Sequence, residues 1–566
     1  MSVSLIFSLS LPVYGETPSR LLNQNVSSSI AQNSTAEADK LFEQGVEEYR
    51  RGKYPQALKT YERVLKIRQQ QGDKAGIAHT LNNIGEVYLS LIKNDKALEV
   101  LQQALAIRRE IKDRKGEGET LDNLGSAYFG KQQDDKALKT FQQALVIRKE
   151  VKDRAGEGKT LSKIGNVYIY GFEKDSQALE YLQQALAIHK EVGDKYQTGI
   201  TLLRIGGFYK ETKDYPRALE WYEKALVVNR EVGNRAWEGR SLFGIGLFYF
   251  DQKKYEKAIE FNNQALPMFR ESQIRLLEAF SLSNIGDAYY NLKKYDKAIE
   301  FYQQALPVLR EIKNRELEAK TLEMMGINYS FQQKYEQATK SQEQALAIAR
   351  EINNKPLEAN ILMFMAGNYA ELNKRDRSIE LYKQALAIQR ELKNPSAQVD
   401  ILSSLLSQYD IKAINLANKG LSAQAKVEYN RIIELAEETL TLARELKNKN
   451  VEASALTVLG NAYFFFKYYE KATQILEQAV SISQHINESQ IESKALSTLA
   501  SIYTFQGKNS EFIKIRIRQL EIARKQENKF SEVNILISLA TSYNVLGEYQ
   551  KAINTSLEAL AVLPKI

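Results

Sequence analysis

Cysteine is absent from the 566-residue sequence, and only three histidines occur, His79, His189 and His485. A chain without cysteine forms no disulfide, thiolate metal site or iron–sulfur cluster, and it has no cysteine nucleophile. The histidines lie far apart, whereas a metal ion needs several ligands that converge on one point. We therefore predict no metal, no cofactor and no catalytic residue, and we expect a protein that is not an enzyme.

A large excess of one charge is also missing, as are long apolar runs. The chain has 78 Lys and Arg residues against 70 Asp and Glu residues, which gives a net charge of +8. So mild an excess favours solubility without requiring a nucleic acid or an anionic membrane as partner. No window has the length and apolarity of a transmembrane helix. We expect neither a transmembrane segment nor a nucleic-acid partner.

One short motif resembles a phosphate-binding loop. Residues 156–160 read GEGKT. A true loop of this kind needs a glycine five residues before the second glycine and a preceding strand. Asp153 stands at that place, and the segment before it has a helical pattern. We interpret the motif as a turn between two repeats.

The N-terminal residues differ in composition from the rest of the chain. Residues 1–15, MSVSLIFSLSLPVYG, are apolar over a length typical of a signal peptide, but no Lys or Arg occurs before Arg20. Residues 16–36 are polar and read as a flexible spacer. A cleaved segment at 1–15 would place the protein in the periplasm or outside the cell. The alternative is a cytoplasmic protein.

A pattern of Leu-x-x-x-small-x-x-Tyr recurs about every 40 residues. It runs from Leu81 and Tyr88 to Leu536 and Tyr543, and the small residue is usually glycine. Each repeat has two stretches of helical periodicity, which we name helix A and helix B. A glycine inside a helix costs about 1 kcal/mol relative to alanine. Its recurrence predicts that helices A and B cross closely there.

The pattern resembles the tetratricopeptide repeat over residues 37–566. The small-residue positions of that family match Gly85, Tyr88, Ala97 and Ala104, and we expect the two alanines to form the small surface opposite the glycine. The 40-residue period is similar to the long repeats of kinesin light chains, spindle-orientation adaptors and bacterial signalling proteins. The resemblance implies an all-α, α-α superhelical solenoid of about 13 tandem hairpins. Extra residues predict one elongated hairpin at about 400–447.

The resemblance also implies that helix A lines a concave groove that contacts ligands. The groove residues carried over are those three residues before, one after and four after the small residue of helix A. They are Asn82, Glu86, Asp122, Ser126, Asn166, Lys210, Phe243, Leu247, Phe250, Asp287, Tyr290, Glu323 and Asn461.

These features predict a non-catalytic scaffold that binds a peptide or helix of a partner protein in the groove. Phe243, Leu247 and Phe250 would offer an apolar anchor, unless they pack inside the superhelix. One alternative is the sensor portion of a larger effector, whose caspase-like peptidase domain is not in this sequence. A weaker alternative is an RNA-binding solenoid, which the acidic neighbours of the arginines disfavour.

Overall fold

The computed structural model describes residues 35–172 and 175–563, and these form twenty-six helices with no strand among them. The predicted signal peptide, 1–15, and nearly all of the predicted spacer, 16–36, lie outside the described residues and stay predictions. The first fourteen helices are α1 (35–50), α2 (Tyr54–Gln71), α3 (Lys74–Ser90), α4 (Asn94–Glu110), α5 (Arg114–Gly130), α6 (Asp134–Glu150), α7 (Arg154–Tyr170), α8 (Asp175–Glu191), α9 (Lys195–Glu211), α10 (Tyr215–Glu231), α11 (Arg235–Asp251), α12 (Tyr255–Glu271), α13 (Arg275–Asn291) and α14 (Tyr295–Glu311).

The remaining twelve helices continue the same pattern of successive packed pairs. They are α15 (Arg315–Phe331), α16 (Tyr335–Glu351), α17 (Lys355–Glu371), α18 (Arg375–Glu391), α19 (Pro395–Asn418), α20 (Ser422–Glu445), α21 (Lys449–Phe465), α22 (Tyr469–His485), α23 (Ser489–Phe505), α24 (Asn509–Lys525), α25 (Lys529–Val545) and α26 (Tyr549–Val562). Odd-numbered helices are helix A of each hairpin, and even-numbered helices are helix B. The predicted all-α solenoid of tandem hairpins is confirmed. Most helices have 17 residues, whereas α19 and α20 have 24 each.

Tight turns join the helices, and their backbone geometry recurs. Lys112, in the turn after α4, has a φ of 58°, and the residue in this turn position has a positive φ in most hairpins. Asp113 follows and accepts a hydrogen bond from the backbone amide of Gly116 at 2.9 Å, which caps the N-terminus of α5. An Asp or Asn caps most helices A in this way, but α13 and α23 begin without a side-chain cap.

The glycine of helix A makes room for a large side chain of helix B. A Cβ atom added to Gly85 would lie 2.5 Å from Leu101, which is fully buried between Ala97 and Ala104. The two alanines predicted to lie opposite the glycine are fully buried, and Leu101 lies between them against the glycine. The alanines flank the contact and let the helices approach, and Leu101 fills the space that the missing side chain leaves.

Pairs of cations bracket a buried glutamate at the start of helix A. Arg109 Nε and Arg114 Nη1 each lie 2.8 Å from a carboxylate oxygen of Glu117, which is 8% exposed. Burial alone would raise the pKa of Glu117, but these two guanidinium groups hold it below its usual range. Two cations bracket the equivalent residues Glu238, Glu278, Glu358, Glu452 and Glu532 in the same way.

The chain divides into two compact units, one that ends at Asn314 and one that begins at Arg315. Within the first unit, the first hairpin contacts helix α11 although almost 200 residues separate them. Asn234 Nδ2 donates a hydrogen bond to the carbonyl oxygen of Arg50 at 2.6 Å. A Cβ on Gly52, in the first turn, would lie 3.0 Å from Ala236. Among the described residues, no helix is long and apolar enough to cross a membrane.

Candidate functional site

A cavity of about 730 Å³ lies inside the first unit. Helices α1, α3, α5 and α7 and the start of α9 provide most of its lining. The lining includes exposed side chains, Glu43, Lys115 and Lys195, and the almost fully buried carboxylate of Asp122. The cavity therefore extends from the solvent into the interior of the unit.

An ion pair on the cavity wall joins the buried Asp122 of α5 to the half-buried Lys163 of α7. Lys163 Nζ lies 2.7 Å from Asp122 Oδ2 and 3.2 Å from Asn123 Oδ1. Burial opposes the ionised form of Asp122, but the charges of Lys163 and Arg148 bring its pKa below the usual range. Burial also lowers the pKa of Lys163, although Asp122 pulls in the opposite direction.

Further hydrogen bonds connect successive helices A on either side of this pair. Asn123 Nδ2 donates to Asn82 Oδ1 at 3.3 Å, which links α5 to α3. Arg204 Nη1 donates to Ser162 Oγ at 2.7 Å, which links α9 to α7. Burial lowers the pKa of Arg204 to about 10, so its guanidinium stays charged. Polar side chains thus link each of the helices α3, α5, α7 and α9 to the next.

Only some of the predicted groove residues meet at the cavity. Asn82, Glu86 and Asp122 line it. Ser126 and Asn166 lie half-buried on α5 and α7 without lining it. Every one of the thirteen predicted groove residues is buried or half-buried.

The apolar residues predicted as an anchor pack against neighbouring aromatic rings. The ring of Phe243 lies 6.1 Å from that of Phe269, and the ring of Phe250 lies 5.5 Å from that of Tyr255. Both phenylalanines and Leu247 are half-buried. Most of their apolar surface that could bind a partner is therefore already in contact with the chain.

Three other predicted groove residues of the first unit have partners nearby. Lys210 Nζ lies 3.2 Å from an oxygen of Asp251. Asp287 accepts a hydrogen bond from the hydroxyl of Tyr302 at 2.6 Å, and burial raises the pKa of Asp287. Tyr290 packs its ring near that of Tyr295. These contacts lie on α9 to α14 and none of them reaches the cavity lining.

The second unit carries the last two predicted groove residues. Glu323 on α15 is 9% exposed, and burial raises its pKa to about 7. Asn461 Nδ2 donates to Asp410 Oδ2 at 3.4 Å, and the Asn461 amide oxygen accepts from Thr498 at 2.7 Å. Successive helices A of this unit are therefore joined by polar side chains, as in the first unit.

Sequence reasoning missed the residues two positions before the small residue of helix A. Asn123, Lys163 and Arg204 occupy this position in three successive repeats. In an α-helix this position lies about 90° around the axis from the middle of the three predicted groove positions. A side chain there faces the adjacent helix A. The sequence signal for this position is a charged residue, such as Lys163 or Arg204, among the small and apolar residues of helix A.

Gly158 of the GEGKT motif and His189 pack closely together. A Cβ on Gly158 would lie 2.9 Å from both Ile188 and His189, and helix α6, not a strand, precedes the motif. His189 is fully buried, and burial lowers its pKa to about 4. In the described part of the chain, no three His, Asp or Glu side chains are grouped so that they could hold a metal ion.

Three solved structures with similar folds are distant in sequence. A signal transduction ATPase with numerous domains and a tetratricopeptide repeat sensor, from Pyrococcus horikoshii, is 18% identical with a TM-score of 0.49. The alignment covers 62% of this chain and 54% of that structure, so the chain spans about half its length. RapI in its apo form is 21% identical (TM-score 0.37), with 49% of this chain and 99% of RapI covered. Aspartyl phosphate phosphatase F from Bacillus subtilis is 17% identical (TM-score 0.38), with 62% and 94% covered. A comparison with curated proteins finds no match.

Sequence models of one repeat family match most of the hairpins. The model described as "Tetratricopeptide repeat" matches residues 43–110, 117–191, 197–271, 277–351 and 329–391, and a second model with the same description matches 453–485. The first model alone spans more than half of the chain, and its matches coincide with the observed hairpins. The chain belongs to the tetratricopeptide repeat family.

Proposed function

We propose that this chain is a non-catalytic scaffold that binds an extended segment of a partner protein in the cavity of the first unit. A protein-interaction or sensor scaffold is the class of function that its repeats support. The observation that carries the finer proposal is the buried Asp122–Lys163 pair on the cavity wall.

The Asp122–Lys163 pair is not repeated in the neighbouring hairpins. At the position of Asp122, the neighbouring helices A have Asn82 and Ser162, and at the position of Lys163 the preceding helix has Asn123. A buried ion pair loses much of its Coulomb attraction to the cost of desolvation, so it contributes little to stability. Charges that stability does not require are typical of binding sites.

The size of the cavity favours an extended segment over a helix. A volume of about 730 Å³ falls within the range of about 300–1,000 Å³ of small-ligand pockets. An α-helix with side chains is about 10–12 Å wide and needs an open groove. The amide side chains of Asn82, Asn83 and Asn123, which line the cavity, can hydrogen-bond the backbone of an extended chain.

We do not extend the proposal to RNA. The arginines late in helix B and at the start of helix A contact the buried glutamates described above. A phosphate backbone binds where cations are available along one face, and these cations are already paired.

A peptide library displayed on phage and selected against the immobilised full chain tests the proposal. The double variant Asp122→Asn/Lys163→Met removes both charges of the pair, because removing one alone would leave an uncompensated buried charge. The control Asp135→Asn/Lys139→Met makes the same changes at exposed positions of α6. We expect the selected peptides to bind the double variant at least about tenfold more weakly, from the lost charge-assisted hydrogen bonds.

The control variant should bind the same peptides with unchanged affinity. Circular dichroism and thermal unfolding would verify that both variants are folded. Peptides that bind the folded double variant as tightly as the parent chain would contradict the proposal, as would a selection that yields no peptide.

A further inference from the structure

One hairpin of the second unit projects beyond its neighbours. Helices α19 and α20 have 24 residues each, whereas the adjacent helices α18 and α21 have 17. The repeat places the seven extra residues of each helix on either side of the turn between them, and we name residues 412–428 the tip. Seven residues of α-helix are about 10 Å long. The tip therefore extends about 10 Å beyond the turns that precede α18 and α22.

The tip exposes apolar side chains to solvent. Ile414, Leu421 and Val427 are 39%, 43% and 49% exposed. Leu421 directly precedes α20, so it lies at the outer end of the hairpin. Apolar surface in water is unfavourable, and its concentration at one projecting end is typical of an interaction surface.

The tip is also basic. Residues 411–427, IKAINLANKGLSAQAKV, include three lysines and no aspartate or glutamate. Lys412 Nζ lies 3.0 Å from a carboxylate oxygen of Glu428 and 2.7 Å from one on α18. Lys419 and Lys426 are exposed, and neither forms an ion pair with a residue that the structure describes. Two unneutralised cations thus accompany the exposed apolar side chains, and an anionic surface complements them.

The turn of the next hairpin adds aromatic side chains beside the tip. Tyr429, at the base of the tip, packs its ring 4.4 Å from that of Phe465. The ring of Phe466 lies 5.6 Å from Phe465 and 6.3 Å from Tyr468, which is 61% exposed. Tyrosine, with an apolar ring and a polar hydroxyl, is enriched where lipid meets water. The tip and this turn form one edge with exposed apolar, aromatic and basic side chains.

We infer that this edge of the second unit docks on the surface of a lipid bilayer that contains anionic lipids. The side chains of Ile414 and Leu421 enter the boundary between headgroups and acyl chains. The ammonium groups of Lys419 and Lys426 contact the anionic headgroups. Interfacial helices bury apolar side chains about 5–10 Å into this boundary, and the tip projects far enough to reach that depth.

A bilayer suits the shape of this edge better than a protein partner does. A protein would need a pocket that matches the projecting end, whereas lipid adapts to its outline. The inference concerns the second unit and does not depend on the cavity of the first.

Flotation of the full chain with lipid vesicles tests the inference. One set of vesicles is phosphatidylcholine alone, and the other is equimolar phosphatidylcholine and phosphatidylserine. We expect at least about tenfold tighter binding to the second set, because each lysine near an anionic surface strengthens binding about fivefold. High salt should remove most of this difference by screening the charges.

Two variants locate the surface. Lys419→Gln/Lys426→Gln should weaken binding to the anionic vesicles at least about tenfold. Ile414→Ser/Leu421→Ser should weaken it severalfold, because less apolar surface enters the lipid. Circular dichroism and thermal unfolding would verify that both variants are folded.

The control variant is Lys393→Gln/Lys447→Gln. It makes the same charge change at exposed positions in the turns at the opposite end of the same hairpin, and it should bind as the parent chain does. Binding to neither set of vesicles, or equal binding to both, would overturn the inference. Anionic binding that persists unchanged in the folded tip variants would also overturn it, because another segment, such as the apolar residues 1–15, would then hold the lipid.

A fluorescent label distinguishes insertion from a surface contact. Because the chain has no cysteine, Leu421→Cys or Lys447→Cys provides one attachment site for an environment-sensitive fluorophore. Emission from position 421 should shift to shorter wavelength on the anionic vesicles, and emission from position 447 should not. A chain that floats with the vesicles without a shift at position 421 would contradict docking through the tip.

Discussion

Glu323 shows how much a single inner residue can oppose stability. Its side chain is buried on α15, and burial raises its pKa to about 7, with only weak compensation from Lys320. The pKa is above that of the unfolded chain, so the folded state holds the proton more tightly. Stability contributed by the neutral form is complete below pH 4.5 and is lost as the pH rises towards 7.

We therefore expect Glu323→Gln to stabilise the protein at alkaline pH. At pH 8 the free energy of unfolding should rise by about 2–3 kcal/mol, because the glutamine removes a buried charge. At pH 4 the variant and the parent should be nearly equal. Urea denaturation at both pH values measures the difference, and Glu336→Gln, at an exposed position of α16, is the control. A loss of stability in the Glu323→Gln variant at pH 8 would contradict this expectation, because it would show that an interaction stabilises the charged carboxylate of Glu323.

At this scale the sequence predicted which positions face inwards better than it predicted their surroundings. The repeat columns selected Asn82 and Asp122, which line the cavity. The same columns also selected Phe243 and Phe250, whose rings pack within the chain. How deeply each side chain is buried depends on the rotation between adjacent hairpins. The repeat pattern of the sequence carries no information about that rotation.

In most hairpins a small residue of helix A contacts a larger residue of helix B. Gly460 is typical, since a Cβ there would lie 2.5 Å from Leu476. Gly367, on α17, is different, because the nearest atom to an added Cβ is the Tyr382 hydroxyl at 3.7 Å. Gly460 is the small residue of α21, whereas Gly367 follows Ala366, the small residue of α17, and has open space beside it.

The two glycines should respond oppositely to alanine. Gly460→Ala should destabilise the chain by about 1–3 kcal/mol, because the methyl group overpacks against Leu476. Gly367→Ala should stabilise it by up to about 1 kcal/mol through helix propensity. Denaturant unfolding of the two variants checks this, with each serving as the control for the other. Equal effects would show that packing at the glycine does not hold the hairpin together.

The elements themselves were largely readable from the sequence. Leucine, glycine and tyrosine at helical spacing, repeated every 40 residues, predict helix A, and the alanines predict helix B. The identity of the contact was not readable, because both Leu101 and its neighbours Ala97 and Ala104 lie on the same face of α4. The glutamate at the start of helix A was also missed, although it recurs in most repeats.

For the molecule as a whole, the contact between the first hairpin and α11 could not be predicted. Neighbouring hairpins rotate by a small angle, and the angles add along a solenoid. A small error in the predicted angle between neighbouring hairpins therefore grows over the five steps from the first hairpin to the hairpin of α11. The contacts of Asn234 with Arg50, and of Arg240 with the backbone carbonyl of Ser90 at 3.3 Å, result from that sum. The cavity in the first unit follows from the same arrangement.

The central claim is that a partner segment binds inside the first unit, and site-specific photo-crosslinking tests it most directly. The chain has no cysteine, so Lys159→Cys or Lys139→Cys gives one attachment site for a benzophenone maleimide. Residue 159 lines the cavity, whereas residue 139 is exposed on α6. A selected peptide should crosslink from position 159 and not from position 139. Equal crosslinking from both positions, or crosslinking from position 139 alone, would contradict the account.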